Sequence, residues 1–240
     1  MKKKRDPEII AADFAAEMRQ AFGQEMQSLF LVGSAARGDF VHGKSDINTV
    51  VILTEEGMTW LEKAYPILQT WKHKGIAVPH FMLTDVFDNA QDSYPLEFLD
   101  FKCFHKVIMG PDTLSTLIIP REPLRLQIER ELRGKLFLLR QIFVAQAGRS
   151  KELNAALIKS VSVFTAVFQG ILELAGKPIP ANRKDLFSYT AEYAGFSDRV
   201  FQQILEIRQG QGSKNQRVIF KDLLHVIPEI VHWIDKFDSK

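Results

Sequence analysis

Two short stretches of the chain concentrate residue types that can handle phosphate and metal. The first runs Leu31, Val32, Gly33, Ser34, Ala35, Ala36, Arg37, Gly38, Asp39, and the second runs Gly43, Lys44, Ser45, Asp46, Ile47, Asn48, Thr49, Val50, Val51. An apolar run that ends in Gly33 and Ser34 and turns into a helix exposes backbone N–H groups at the helix start, where they can cradle a polyphosphate. Glycine at position 33 lets a phosphate approach the backbone with no Cβ in the way. Ser34 adds a hydroxyl donor at the same place. Arg37, about one helical turn further on, has two roles open to it: reaching the same phosphates, or pairing with an acid inside the fold. In a strand, residues two apart point the same way, so Asp46 and Asn48 share a face at a spacing that suits a metal ion. Asn48 offers an amide oxygen but no charge.

The elements that must position these residues follow from hydrophobic periodicity. Residues 7–22 carry Ile9, Ile10, Phe14, Met18 and Phe22 at helical spacing, with Gly23 as the stop. Residues 28–32 and 47–53 are short apolar runs, the second rich in β-branched side chains, and both read as buried strands. A helix near residues 59–74, a third strand around 76–83, a mixed segment through Phe104 and a short apolar piece at 106–109 complete a pattern of alternating helices and strands, which predicts an α+β sheet domain. From about Pro120 the pattern is helical only. Leu124, Ile128, Leu132, Leu136, Leu139 and Phe143 form one stripe, and Leu153, Leu157, Val161, Phe164, Phe168, Ile171 and Leu174 form a second. Three shorter helices are expected near 183–194, 198–208 and 219–237. The expected division is a domain at 1–115 and a helical bundle at 120–240, joined where Gly, Pro, Thr and Ser cluster. Phe137, Phe143, Phe164, Phe168 and Phe201 are expected in the core, as are Cys103 and His80 packed among their neighbours.

Composition narrows the function classes. The 31 basic and 29 acidic side chains nearly cancel, which argues against a protein whose affinity comes from neutralising a nucleic-acid backbone. One cysteine excludes an internal disulfide, and no Cys/His spacing has the form of a zinc site. No segment reaches roughly 18 to 20 uninterrupted apolar residues, and the basic start lacks the apolar stretch of a signal peptide. A cytoplasmic protein with a small-molecule or nucleotide ligand is the expectation, with no membrane partner.

The combination of Gly33 and Ser34, Arg37 and Gly38, and Ser45 and Asp46 resembles the nucleotidyltransferase superfamily, with its polymerase-β-like fold. The similarity by motif covers about residues 28–53 and extends weakly to 110, where Tyr94 to Asp100 resembles a bacterial group with a helical C-terminal domain. The resemblance implies a mixed sheet with helices followed by an all-α bundle. It also implies transfer of a nucleoside monophosphate from an NTP, ATP foremost, to a hydroxyl of a small-molecule or protein acceptor, with two Mg²⁺ ions held by three carboxylates. On this reading Gly33, Ser34, Arg37 and Ser45 bind the nucleotide, Asp46 and Asn48 are the catalytic and metal-binding positions, and the bundle supplies the acceptor pocket or mediates assembly into oligomers. The chain departs from the pattern in two places. Asn48 stands where the second acid belongs, and the third strand, Ile76, Ala77, Val78, Pro79, His80, Phe81, Met82, Leu83, contains no acid. Asp85, Asp88, Glu97 and Asp100 are the candidates to replace a lost ligand. The alternative expectation is therefore a catalytically degenerate binding module that keeps nucleotide affinity without turnover, a pseudoenzyme with Mg²⁺ weakly held or absent.

Overall fold

The computed structural model describes residues 6–43, 45–89, 91–145, 150–211 and 215–237, and the side chains of these except 88, 89 and 150. The chain divides into two compact units, one comprising Met1–Ser93 and Phe98–Ile119, the other Tyr94–Glu97 and Pro120–Lys240. The architecture is α+β: a mixed four-stranded sheet with helices, then helices alone.

In the first unit, α1 (Pro7–Phe22) starts where the Asp6 carboxylate accepts from the Glu8 N–H and Pro7 occupies the first turn, both favourable at a helix N-terminus. Strand β1 (Met26–Val32) leads into the short helix α2 (Gly33–Arg37), and β2 (Asn48–Leu53) follows the intervening loop. Then come α3 (Glu55–Met58), a 3₁₀ turn at Leu61–Lys63, α4 (Ala64–Lys72), β3 (His80–Leu83), α5 (Val86–Asn89), α6 (Pro95–Cys103) and β4 (His105–Met109). The strand order is β3, β2, β1, β4; β1 runs antiparallel to β2 and β4, and β2 runs parallel to β3. Alternation along β1 and β2 sends Leu29, Leu31, Ile47, Val51 and Leu53 into one core with Phe14 and Met18 of α1 and Ile67 and Trp71 of α4. The Phe14 and Trp71 rings meet edge to face at 5.7 Å, and the Trp71 indole N–H donates to Glu17 at 2.6 Å. These apolar side chains fix the sheet's register, because a one-residue slip would turn the whole set to the other face.

Three expectations change. The helix read at residues 59–74 is a 3₁₀ turn followed by the shorter α4. The third strand is limited to His80–Leu83: Ile76 makes only an isolated bridge to Ile47, and Pro79, with no N–H to donate, interrupts the ladder between them. The mixed segment contains α6, whose Leu96, Phe98, Leu99 and Phe101 are all buried. Apolar residues on several sides leave no single stripe for periodicity to register.

The second unit contains α7 (Arg121–Ala145), α8 (Ser150–Leu174), α9 (Arg183–Ala194), α10 (Arg199–Gln209) and α11 (Gln216–Asp235). The stripe Leu153, Leu157, Val161, Phe164, Phe168, Ile171 and Leu174 is buried throughout. Phe201 sits between Phe164 and Phe168, with ring centroids 5.0 and 4.9 Å away. By length and composition, Lys151–Leu174 is apolar enough to cross a membrane, and most of it is buried inside the structure. Phe137 departs from expectation: it is 65% exposed, on the face of α7 turned away from the buried Leu132 and Leu139. Cys103 is also exposed.

Candidate functional site

The C-terminal end of β1 is the junction that brings the expected residues together. Val32 pairs with Asn48 on one side and with His105 on the other, so the starts of β2 and β4 flank the strand where it turns into α2. Gly33 has φ +68°, a left-handed conformation that L side chains rarely adopt. A Cβ placed there would lie 3.2 Å from Nδ2 of Asn48. Asn48 therefore packs directly against the turn. The Ser34 carbonyl accepts from the N–H groups of Gly38 and Asp39, which ends the helix after little more than one turn.

Asp46 lies just before β2 and is exposed. The backbone of Ile47 pairs with Gly75 and Ala77, and the Ile47 side chain enters the core with α1 and α4. Alternation puts Asp46 and Asn48 on the face opposite that core. Ser45 closes the preceding loop: its N–H donates to the Val41 carbonyl at 2.9 Å and its hydroxyl accepts from the Val41 N–H at 3.2 Å.

Arg37 occupies the second of the two roles open to it. Its guanidinium pairs with the Asp100 carboxylate of α6 and stacks over the Phe104 ring, 4.0 Å from the centroid. The Arg37 side chain is 3% exposed and that of Asp100 is 23% exposed. An ion pair this enclosed holds α2 against α6, and both members are needed because either charge left alone would be costly.

The remaining candidate acids are distributed elsewhere. Glu97 belongs to the other unit and accepts from the Gln127 amide of α7 at 2.8 Å. Asp85 is exposed in the turn after β3. The Asp88 side chain lies outside the described residues. His80 opens β3 opposite Val50 and is exposed, its ring 5.8 Å from that of Phe101. Among the described residues, no group of three or more His, Cys, Asp or Glu side chains is arranged to hold a metal ion.

Magnesium prefers an octahedral shell of hard oxygens, including carboxylates and phosphates. One exposed carboxylate at Asp46 and one neutral amide at Asn48 do not supply the three carboxylates of a two-ion site. The described donors do not fit such a pair of ions.

Nothing in the sequence marks His105. Its side chain is 10% exposed, with Nδ1 2.7 Å from the Phe101 carbonyl and Nε2 3.0 Å from Asp112. Burial alone would raise the Asp112 carboxyl, but the Ser115 N–H and the charge of His105 outweigh it and hold the group below its ordinary value. A cleft of about 430 Å³ lies in the helical unit, lined by Tyr193, Phe196, Glu229, His232, Trp233 and Phe237 among others. None of the expected site residues lines it.

No protein-family model matches the chain, and no curated protein matches it. Among solved structures, the chain is similar to the spectinomycin adenyltransferase AAD(9) from Enterococcus faecialis, crystallised with ATP and spectinomycin, at 12% identity and a TM-score of 0.49 over 90% of this chain and 98% of that one.

Proposed function

We propose that the chain is a nucleotidyltransferase-like protein that binds a nucleoside triphosphate, ATP foremost, at the turn after β1, and that its site is a degenerate one that binds without efficient turnover. The observation that carries this reading is Asn48. It occupies the strand position facing the Gly33 turn, where the resemblance places a second acid, and it brings an oxygen without a charge. Gly33 and Ser34 would receive the β- and γ-phosphates, Ser45 would hold the loop beside them, and Asp46 would face any cation that arrives on the nucleotide. Arg37 serves the site from behind, by fixing α2. The nucleotide-handling part is assigned to residues 1–115 and the helical part to 120–240, in a cytoplasmic setting.

A second reading is transfer of a nucleoside monophosphate to a hydroxyl of a small molecule or a protein. The shared face of Asp46 and Asn48 beside the turn favours it. Catalysis would then rest on positioning the reacting groups.

Replacing Gly33 with Val tests the common part of both readings. The β-branched side chain would fill the phosphate path and press on Asn48, so ATP binding measured by calorimetry should be lost while the helical unit stays folded by circular dichroism. Unchanged ATP affinity in a folded Gly33→Val protein would dispose of the cradle.

A further inference from the structure

Among the described residues, His105 has two acceptors and no donor at its ring nitrogens. The Phe101 carbonyl, 2.7 Å from Nδ1, can only accept, so Nδ1 carries a hydrogen. Asp112 Oδ1, 3.0 Å from Nε2, is part of a carboxyl group held in its ionised form by the Ser115 N–H, which donates to the same oxygen at 3.1 Å. A neutral imidazole would set its Nε2 lone pair against that anion. Both nitrogens are satisfied only when both are protonated.

The surroundings favour the same charge. Phe101 lies in the last turn of α6, where carbonyls lack intrahelical partners and a positive charge is favoured by the helix dipole. The other charged groups on the elements around β4 are Asp100 and Lys102 of α6, Arg37 of α2, and Lys106 of β4 with Glu8 of α1; β1 contributes none. Arg37 is paired with Asp100, and Lys106 with Glu8 at 2.6 Å. The Phe30 ring meets His105 edge-on at 5.6 Å and closes the remaining side.

We propose that His105 is a protonation-dependent positioning residue: as the imidazolium it fastens the C-terminal turn of α6 to the loop at Asp112, and thereby keeps Asp100 and Phe104 on Arg37 at the end of the candidate-site turn. The clasp itself stands on the hydrogen-bond geometry; only its effect on ligand binding rests on the reading of Gly33 and Ser34 as a nucleotide site. Its pH dependence has two signs. On the acid side, Asp112, whose carboxyl is held low, contributes stability that is lost as pH falls and the carboxylate takes a proton. On the basic side, departure of the Nε2 proton breaks the bond to Asp112, so the stability given by the clasp is lost as pH rises and the ring becomes neutral.

Asp112→Asn separates the clasp from a merely structural contact. The introduced amide can turn its NH₂ toward Nε2 and so satisfy a neutral imidazole, whereas the native carboxylate cannot. The experiment follows the ring nitrogens of the ¹⁵N-labelled full chain by NMR from about pH 5 upward, alongside melting temperatures of wild type, Asp112→Asn and His105→Gln. In wild type, both His105 nitrogens should carry protons in the folded state, and the melting temperature should fall as the NMR signal of His105 titrates. In Asp112→Asn the ring should become the neutral Nδ1–H form at lower pH, and in both variants the corresponding fall in melting temperature should disappear. ATP titrations in parallel should show affinity weakening over the same titration in wild type only. A neutral His105 in wild type at the lowest pH of native folding, or equal pH dependence in all three proteins, would overturn the clasp. Absence of ATP binding at every pH, with the NMR signature intact, would count against the nucleotide reading and leave the clasp standing.

Discussion

The two ends of helix α2 are built on opposite terms. At the Arg37 end, charge is matched and covered: the guanidinium pairs with Asp100, stacks on Phe104 and is almost wholly enclosed. At the Gly33 end the side chains are half-exposed or neutral, with Ser34 and Asn48 beside the turn and Asp46 open to solvent. Asp100 is committed to the scaffold, Glu97 to Gln127, and Asp112 to His105. The acids that a sequence would offer as replacement metal ligands are thus spent on holding elements in place, and the exposed end keeps one expected carboxylate. Rigidity behind a site and charge within it draw on the same kind of side chain, and here the scaffold has most of it.

The sharpest way to break this contrast is to remove its covered half. Asp100→Ala leaves the Arg37 charge enclosed without its carboxylate and should lower stability by about 3 kcal/mol in urea unfolding. A loss near zero would mean that the ion pair does not hold α2 to α6. The Gly33→Val substitution should cost less, about 1 to 2 kcal/mol from its left-handed backbone, while removing ATP binding altogether. At the other extreme, Asp46→Asn changes an exposed side chain and should leave stability within about 0.5 kcal/mol, with its effect confined to the metal dependence of nucleotide binding. A strongly destabilised Asp46→Asn protein would place that carboxylate in the scaffold and erase the difference between the two ends.

Much of the frame that positions the site is written in local pattern. The β-branched run at residues 47–53 and the apolar run at 28–32 pair as β2 and β1 because one face of each must be buried against α1 and α4. The meeting of Asn48 with the Gly33 turn follows from that pairing. Other features depend on distant partners and leave no local trace. The Arg37 and Asp100 pair joins residues 63 apart in sequence, and either acid or phosphate would have suited an arginine at that position. The His105 clasp needs a helix end, a strand start and a loop to converge, none of which marks His105 in isolation. Phe137 shows the converse: it is apolar within a helix that has a buried stripe, yet its angular position turns it to solvent.

The central claim is that the site holds nucleotide with a deficient set of metal ligands, and Asn48 is where it is tested most directly. Asn48→Asp restores one negative charge on the face shared with Asp46. Paired calorimetric titrations of wild type and Asn48→Asp with ATP, each with and without Mg²⁺, should show weak Mg²⁺ dependence in wild type and a distinctly stronger one in the variant, with slow or absent pyrophosphate release by the wild type. Rapid pyrophosphate release by the wild type that disappears in Asp46→Ala would contradict the degenerate-site account, because another acid would then be completing the site.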